Sequence, residues 1–347
     1  MEKEHISREF TIQDTNIAKG IACMLLLFHH LFYHESKFEL FWHLTNPPLI
    51  STAATLGKVC VAMFLLLSGY GMVKSAESDE KVGVKFILRH LTKLMMQFWF
   101  IYILFVPLGF VFGRSPLDIY GIGIKGIIKA LIDFFGISNI MNTPTMNGTW
   151  WFMGAIILLY IGFPILYCAI KKKPCITLFI SLLICLFSNG NSRWFHAILV
   201  WIFPFVSGMF LAEKDLINKF FQRKPLIQVL SVIVFFIVSL VIRKIVGIRA
   251  DTFFGLSIMG VWFAFFGNLK RMSSAIGFIG KHSGNIFMFH TFIYAYYFKE
   301  IIYSLWYPPL IYVNLLLICV VVSVLIEKLK VLVKIDKLQS FAVNKLR

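Results

Sequence analysis

Apolar runs of roughly 17 to 25 residues recur along almost the whole chain, the length a helix needs to cross a hydrocarbon layer about 30 Å thick. Read against the breakers and charges between them, they give candidate helices near residues 17–34, 56–74, 93–112, 150–170, 174–189, 195–213, 226–246, 252–269, 284–303 and 309–329. The runs lack the roughly ten-residue alternation of a membrane barrel, and only helices then satisfy every backbone group inside lipid. The expected fold is therefore all-α, a polytopic membrane helix bundle of about ten transmembrane helices. Composition agrees: the chain is 59% hydrophobic and 15% charged, with a mean hydropathy of +0.79, against about 45 to 50% apolar in soluble domains. No stretch between the runs can form a second core, so residues 1–347 read as one membrane domain.

A net charge of +17 would suggest nucleic acid as a partner for a soluble protein. Here placement decides otherwise. With the N-terminus in the cytoplasm, 24 of the 34 Lys and Arg fall on the inner side, which matches the positive-inside rule with both termini cytoplasmic. The excess charge becomes an orientation signal and a match to anionic membrane lipid, and nucleic acid is set aside. The six cysteines lie within or at the ends of apolar runs, without CxxC spacing, and read as small packing residues. The first run lacks a small-residue cleavage site and reads as a retained anchor.

One outer loop, residues 113 to 149, is long and holds the amphipathic "IKGIIKALIDFFGI" before the polar "SNIMNTPTMNGT". It is expected to form a short helix on the outer surface, with a lid over a substrate mouth as the functional alternative. The sequon Asn147-Gly148-Thr149 sits too close to the next helix to count as a glycosylation site.

The stretch "IAKGIACMLLLFHHLFYH" carries groups that lipid penalises. Lys19 and His29 are ten residues apart, which places the imidazole roughly 15 Å deeper than the lysine, near the membrane midplane. A histidine there is a functional-site candidate; the alternative is that it only hydrogen-bonds a neighbouring helix. His30 and His34 share a helix face, with Glu35 as a third possible metal ligand, but no further ligand cluster accompanies them and no metal is expected. Ser68 and Tyr70 lie in "FLLLSGYGM", where small residues also serve close packing. Arg89 and Lys93 lie in "KFILRHLTKLMMQFWF", either ordinary flanking charge or a clamp for a cytoplasmic anion. Trp150 and Trp151 open the fourth helix at the outer interface, and "GKHSGNIFMFHTFIYAYYF" buries His290 with Asn285 and Tyr294.

Taken together, these blocks resemble, in order along nearly the whole chain, the acyltransferase-3 family of integral-membrane acyltransferases. "NIAKGIACMLLLFHH" is similar to the family's opening, a basic residue followed ten positions later by His, on which Lys19 and His29 fall. "MFLLLSGYGM" resembles its FxxSGY block, "FILRHLTKL" its basic third helix, "WWFMGAIILLYIGFPILY" its Trp-Phe and Tyr-Pro helix, and "IGKHSGNIFMFH" its late Gly-x-x-Ser block ending in His. Departures exist: Lys19 stands where many members have Arg, Asn16 where Asp is frequent, and Thr92 and Lys93 follow Arg89 where a second Arg is usual. No carboxylate occurs from Gly154 to Ile157, where some members carry Glu.

The resemblance implies transfer of an acyl group, acetyl first, from acyl-coenzyme A to a hydroxyl of a cell-surface polysaccharide or other glycan, at the plasma (cytoplasmic) membrane. It implies His29 as general base or acyl carrier, Lys19, Arg89 and Lys93 as donor-binding groups, and acetyl-CoA as a substrate with no bound cofactor. No hydrolase-like domain follows the tenth run, so any second-stage transfer is expected to need a separate protein. The competing expectation is a transporter or lipid-linked glycan flippase using His29 and His290 as proton or substrate sites, although no repeat between halves is evident.

Overall fold

The computed structural model describes residues 9–34, 47–79, 81–188 and 199–346. Among these residues the secondary structure is helical, without strands. The principal helices are α1 (Ile12–Phe32), α2 (Pro47–Leu56), α3 (Cys60–Glu77), α4 (Val84–Phe105), α5 (Gly123–Phe134), α6 (Trp151–Lys172), α7 (Pro174–Phe187), α8 (Ile202–Glu213), α9 (Pro225–Val246), α10 (Asp251–Val261), α11 (Lys270–Thr291), α12 (Pro308–Leu332) and α13 (Ile335–Lys345). Six stretches are long and apolar enough to cross a membrane: Ile12–Phe32, Pro48–Glu77, Val84–Phe110, Gly148–Lys172, Pro225–Phe266 and Pro308–Leu332. α7 and α8 are apolar but shorter. The 42-residue stretch Pro225–Phe266 contains two of the expected segments, since Ser239 donates to Ser257 at 3.0 Å and α10 folds back on α9.

Every expected segment is helical where it is described, with shifted boundaries. Residue 189 of the fifth expected helix, residues 195–198 of the sixth, and Glu35 lie outside the described residues. The ninth helix begins at Lys270 rather than near residue 284. Its first half, "KRMSSAIGFIGKHSG", is too polar and glycine-rich to read as lipid-facing, because it faces α1 instead. Cβ atoms added at Gly20 and Gly280 would lie 2.1 Å from the Ile276 carbonyl oxygen and 1.7 Å from that of Asn16. Only glycine lets these two backbones approach so closely, the small-residue packing that membrane interiors favour. α3 and α8 cross in the same way, with Gly69 against the Phe205 carbonyl and Gly208 against that of Leu66.

The start of α1 is fixed by a capping box: Asp14 N donates to Thr11 Oγ1 at 3.1 Å, while Thr11 N donates to Asp14 Oδ2 at 2.9 Å. Opposite lies α9, whose Leu226, Leu230, Val234, Ile237 and Val241 are all exposed. An apolar face this large is stable against hydrocarbon and not against water. α11 does not end as an α-helix. A π-helical turn, Phe292–Tyr297, widens it, and a second, Trp262–Phe266, follows α10.

The bundle has two dissimilar ends. One carries Lys81, Lys85, Arg89, Lys93 and α13, and is called here the basic end. The other carries residues 113–149 and is called the loop end. The amphipathic helix expected in that segment is α5. It exposes Ile124, Ile127, Ile128 and Leu131, as an interfacial helix does. It turns Asp133 inward, where the carboxylate accepts from Tyr120 OH at 2.6 Å, Ser138 Oγ at 2.8 Å and Met146 N at 2.9 Å. Tyr102 of α4 completes the dock by donating to the Ala130 carbonyl at 3.2 Å. Burial pushes the Asp133 carboxyl pKa up, against the opposing pull of these donors.

Candidate active site

His29 sits near the loop end of α1, 7% exposed. Its Nδ1 lies 2.8 Å from the Ala54 carbonyl oxygen of α2. A carbonyl only accepts, so this contact puts the ring proton on Nδ1 and makes Nε2 the lone-pair nitrogen of the neutral ring. The approach of α2 to α1 needs Gly57, where a Cβ would fall 2.7 Å from the Leu25 carbonyl and 3.1 Å from His29 Cβ. Tyr33 stacks on the imidazole with centroids 4.4 Å apart.

His30 turns from that face toward α11, its ring centroid 5.0 Å from that of His290. His290 is fully buried. Its Nδ1 lies 3.0 Å from the Ile286 and Phe287 carbonyls, and Tyr294 stacks on it at 5.9 Å. Nε2 lies 3.4 Å from Thr291 Oγ1, which is 3.4 Å from Thr149 Oγ1. The start of α6 is pinned here too, since Trp150 Nε1 and Asn147 Nδ2 both donate to the Met288 carbonyl, at 2.8 and 3.1 Å. The buried Asn147 side chain is thus spent on the fold. The structure therefore brings His29, His290 and Trp150 into one region, with His30 between the two histidines.

At the basic end, a cavity of about 700 Å³ opens between α3, α4 and α13, lined by Lys81, Lys85, Arg89, His90 and Lys93 among others. Arg89 is ion-paired with Asp79. Gln339 of α13 donates to the Lys93 carbonyl at 3.2 Å and helps close the cavity. Four cations and one carboxylate in one concavity suit a polyanion. Lys19, half-buried on α1, does not line it.

The family model of an acyltransferase domain, acyltransferase-3, matches residues 12–328. The chain belongs to the acyltransferase-3 family. No curated protein and no solved structure matched it. As a member of a family of integral-membrane acyltransferases, it is an acyltransferase of the membrane-embedded kind.

In this acyltransferase the remaining family-like positions take up varied places. Ser68 Oγ lies 3.2 Å from Tyr160 OH. Tyr70 packs edge-on against Phe10 at 5.3 Å, and Trp151 stands 5.8 Å from Trp201. Asn285 belongs to a separate polar network. It accepts from Gln97 at 2.9 Å and from Lys330 at 3.1 Å, and donates to Glu327 at 2.6 Å and Ser323 at 3.1 Å. These bonds tie α4, α11 and α12 together on the same helix as His290, toward the basic end from it, and His282 Nδ1 joins them 2.8 Å from Ser323 Oγ. Among the described residues no group of three His, Cys, Asp or Glu is placed to hold a metal ion.

Sequence reading missed two supports of the site. One is the carbonyl row of α2, which carries no side-chain signal. The other is Arg243, counted only as an outer charge. It is buried, donates from Nε to Asp251 Oδ1 at 2.5 Å and from Nη2 to the Thr55 carbonyl at 3.1 Å. It therefore holds the residue next to the carbonyl that holds His29. An Arg and an Asp eight residues apart, flanking a break between two apolar runs, were the available signal.

Proposed function

We propose that this acyltransferase moves an acyl group, acetyl in the first instance, from acyl-coenzyme A to a hydroxyl of a cell-surface glycan, at a site centred on His29. The proposal takes all ten helical segments to cross the plasma membrane, with the basic end cytoplasmic. Arg89 and Lys93 then meet the donor phosphates, which compete with Asp79 for the guanidinium, and Lys19 supplies positive charge along the way in. The long pantetheine arm reaches inward between the helices, while the acceptor approaches from the loop end.

The observation that carries this reading is the contact from His29 Nδ1 to the Ala54 carbonyl. It orients the ring and leaves Nε2 with the lone pair needed by a general base. Nε2 takes the acceptor hydroxyl proton as that oxygen attacks the thioester carbonyl. The C–S bond breaks and the proton passes to the departing thiolate, giving the ester and free coenzyme A. Alternatively the acyl group rests on Nε2 between two such transfers.

The test is transfer of radiolabelled acetyl from acetyl-coenzyme A to crude surface-glycan extract, with purified protein in vesicles. His29→Ala is expected to lower the rate by about 10²- to 10⁴-fold while the protein still inserts. Retained transfer in the variant rejects the role of His29. Absence of transfer by the wild type, across acyl donors and acceptors, rejects the activity and favours transport.

A further inference from the structure

The loop end holds a second concavity that the proposed transfer step does not use. The docked segment places the short helix Ser138–Met141 beside the start of α6. Between them lies a cavity of about 250 Å³, lined by Asn139, Asn142, Thr143, Thr145, Trp150 and Trp151, with Ser138 and Gly148 completing it. This is smaller than the roughly 300 to 1,000 Å³ of sites for drug-sized ligands. A single ring fits such a space.

The lining chemistry is selective. Every polar side chain in it is an uncharged amide or hydroxyl, and every other side chain is an indole. Amides and hydroxyls both donate and accept, which matches the hydroxyls of a sugar. The indoles offer apolar surface to the C–H face of a ring, and Trp150 offers only that, because its N–H is committed to the Met288 carbonyl at 2.8 Å. None of the lining residues carries a charge, so nothing there offsets the dehydration of a carboxylate or phosphate.

One wall atom lacks a partner. Thr143 Oγ1 is closed to solvent and has no hydrogen-bond partner among the described residues, a costly state that an occupant relieves when the half-buried Thr143 side chain turns its hydroxyl into the cavity. Nothing in the local fold requires a hydroxyl there, since the backbone is already held by the bond from Thr143 N to the Ser138 carbonyl at 2.9 Å. The cavity also adjoins the histidines. Thr149, between lining residues Gly148 and Trp150, lies 3.4 Å from Thr291, and Thr291 lies 3.4 Å from His290.

We propose that this cavity binds one neutral, uncharged sugar ring, with Thr143 and Asn139 bonding its hydroxyls and the two tryptophans covering it. The role of that ring as part of the acyl acceptor rests on the function proposed above; the binding itself rests on the cavity alone. The acceptor class is thereby narrowed to glycans that present a neutral unit beside the acylated hydroxyl.

The test uses saturation-transfer NMR on the purified full chain, with methyl glucoside, methyl galactoside and N-acetylglucosamine set against glucuronate and N-acetylneuraminate. At least one neutral sugar is expected to bind and the acidic ones not to compete. Asn139→Ala and Thr143→Val are expected to weaken that binding by about 3- to 10-fold each, and His29→Ala to leave it intact. Thr143→Val is near-isosteric, so without sugar it should melt no lower than wild type while losing any sugar-induced rise in melting temperature. The proposal is overturned if no neutral sugar binds, if the acidic sugars bind more tightly, or if both variants bind as the wild type does. Acyl transfer with an unchanged acceptor KM in both variants removes the cavity and spares the function. Sugar binding through the cavity without acyl transfer does the reverse.

Discussion

Gly280→Ala offers a test of whether the α1–α11 crossing sets the active-site geometry. The added Cβ would stand 1.7 Å from the Asn16 carbonyl oxygen, 2.7 Å from its carbon and 2.9 Å from Gly20 N, all backbone atoms that no rotamer change can move. Ordinary contact begins near 3.4 Å, so the helices must part locally by something on the order of 1.5 Å. Overpacking of this kind costs about 1 to 3 kcal/mol. The functional loss should be larger than the stability loss. α1 carries His29 and α11 carries His290, and a displacement of about 1 Å at reacting groups can cost about 10²-fold in rate. Gly71→Ala is the matched control, because a Cβ there meets nothing within 4 Å; on an exposed helical turn it should stabilise by about 0.5 to 1 kcal/mol. Thermal melting in detergent and acyl transfer, measured on both variants, decide the matter. A Gly280→Ala protein with wild-type melting and rate would refute the close-crossing account. Equal losses in the two variants would show that alanine, rather than the crossing, is the cause.

Further outcomes are expected elsewhere. Asp251→Asn leaves the buried Arg243 without its counter-charge and should cost about 3 to 5 kcal/mol, whereas Arg243→Met combined with Asp251→Leu should recover much of it; denaturation of the single and double variants tests this, and additive losses would argue against a coupled pair. The Asp133 carboxyl titrates above its ordinary 3.8 because burial disfavours the charged form. The folded protein then binds that proton more tightly than the unfolded chain, so its contribution to stability is complete below about pH 4 and is lost as pH rises through the folded value. The melting temperature of wild type relative to Asp133→Asn should accordingly fall from pH 4 upward, and a relative rise would mean that the three donors keep the carboxylate ionised.

The helices were legible because length and apolar pattern report directly on what surrounds a segment. That signal fails where the surroundings are protein. The Lys270–Gly284 half of α11 is polar and glycine-rich, and hydropathy treats it as a connecting loop, yet its glycines are what bring it against α1. His29 stands out for the opposite reason, as a polar side chain inside an apolar run, although it lies near the loop end of α1 rather than at its middle. Its partner was not legible, since a backbone carbonyl has no letter in the sequence, and Gly57 at the start of a helical turn looks like any other breaker. Arg89 and Lys93 were read as an anion clamp or as flanking charge, and no periodicity could reveal that Asp79 folds back onto one of them. The grouping of Lys19 with Arg89 and Lys93 came from the family resemblance, and a motif says nothing about which way a helix face turns.

The π-helical turn at Phe292–Tyr297 sends three tyrosine rings to three destinations: Tyr294 onto His290, Tyr296 OH to Gly148 N, and Tyr297 OH to the Phe105 carbonyl. A widened turn holds a whole extra residue, and a residue cannot be added by halves. Substitutions alter one ring at a time, whereas deleting the extra residue would turn all three rings from their partners together. His290, the start of α6 and the end of α4 therefore depend jointly on a single turn of helix, and its loss would disturb all three at once.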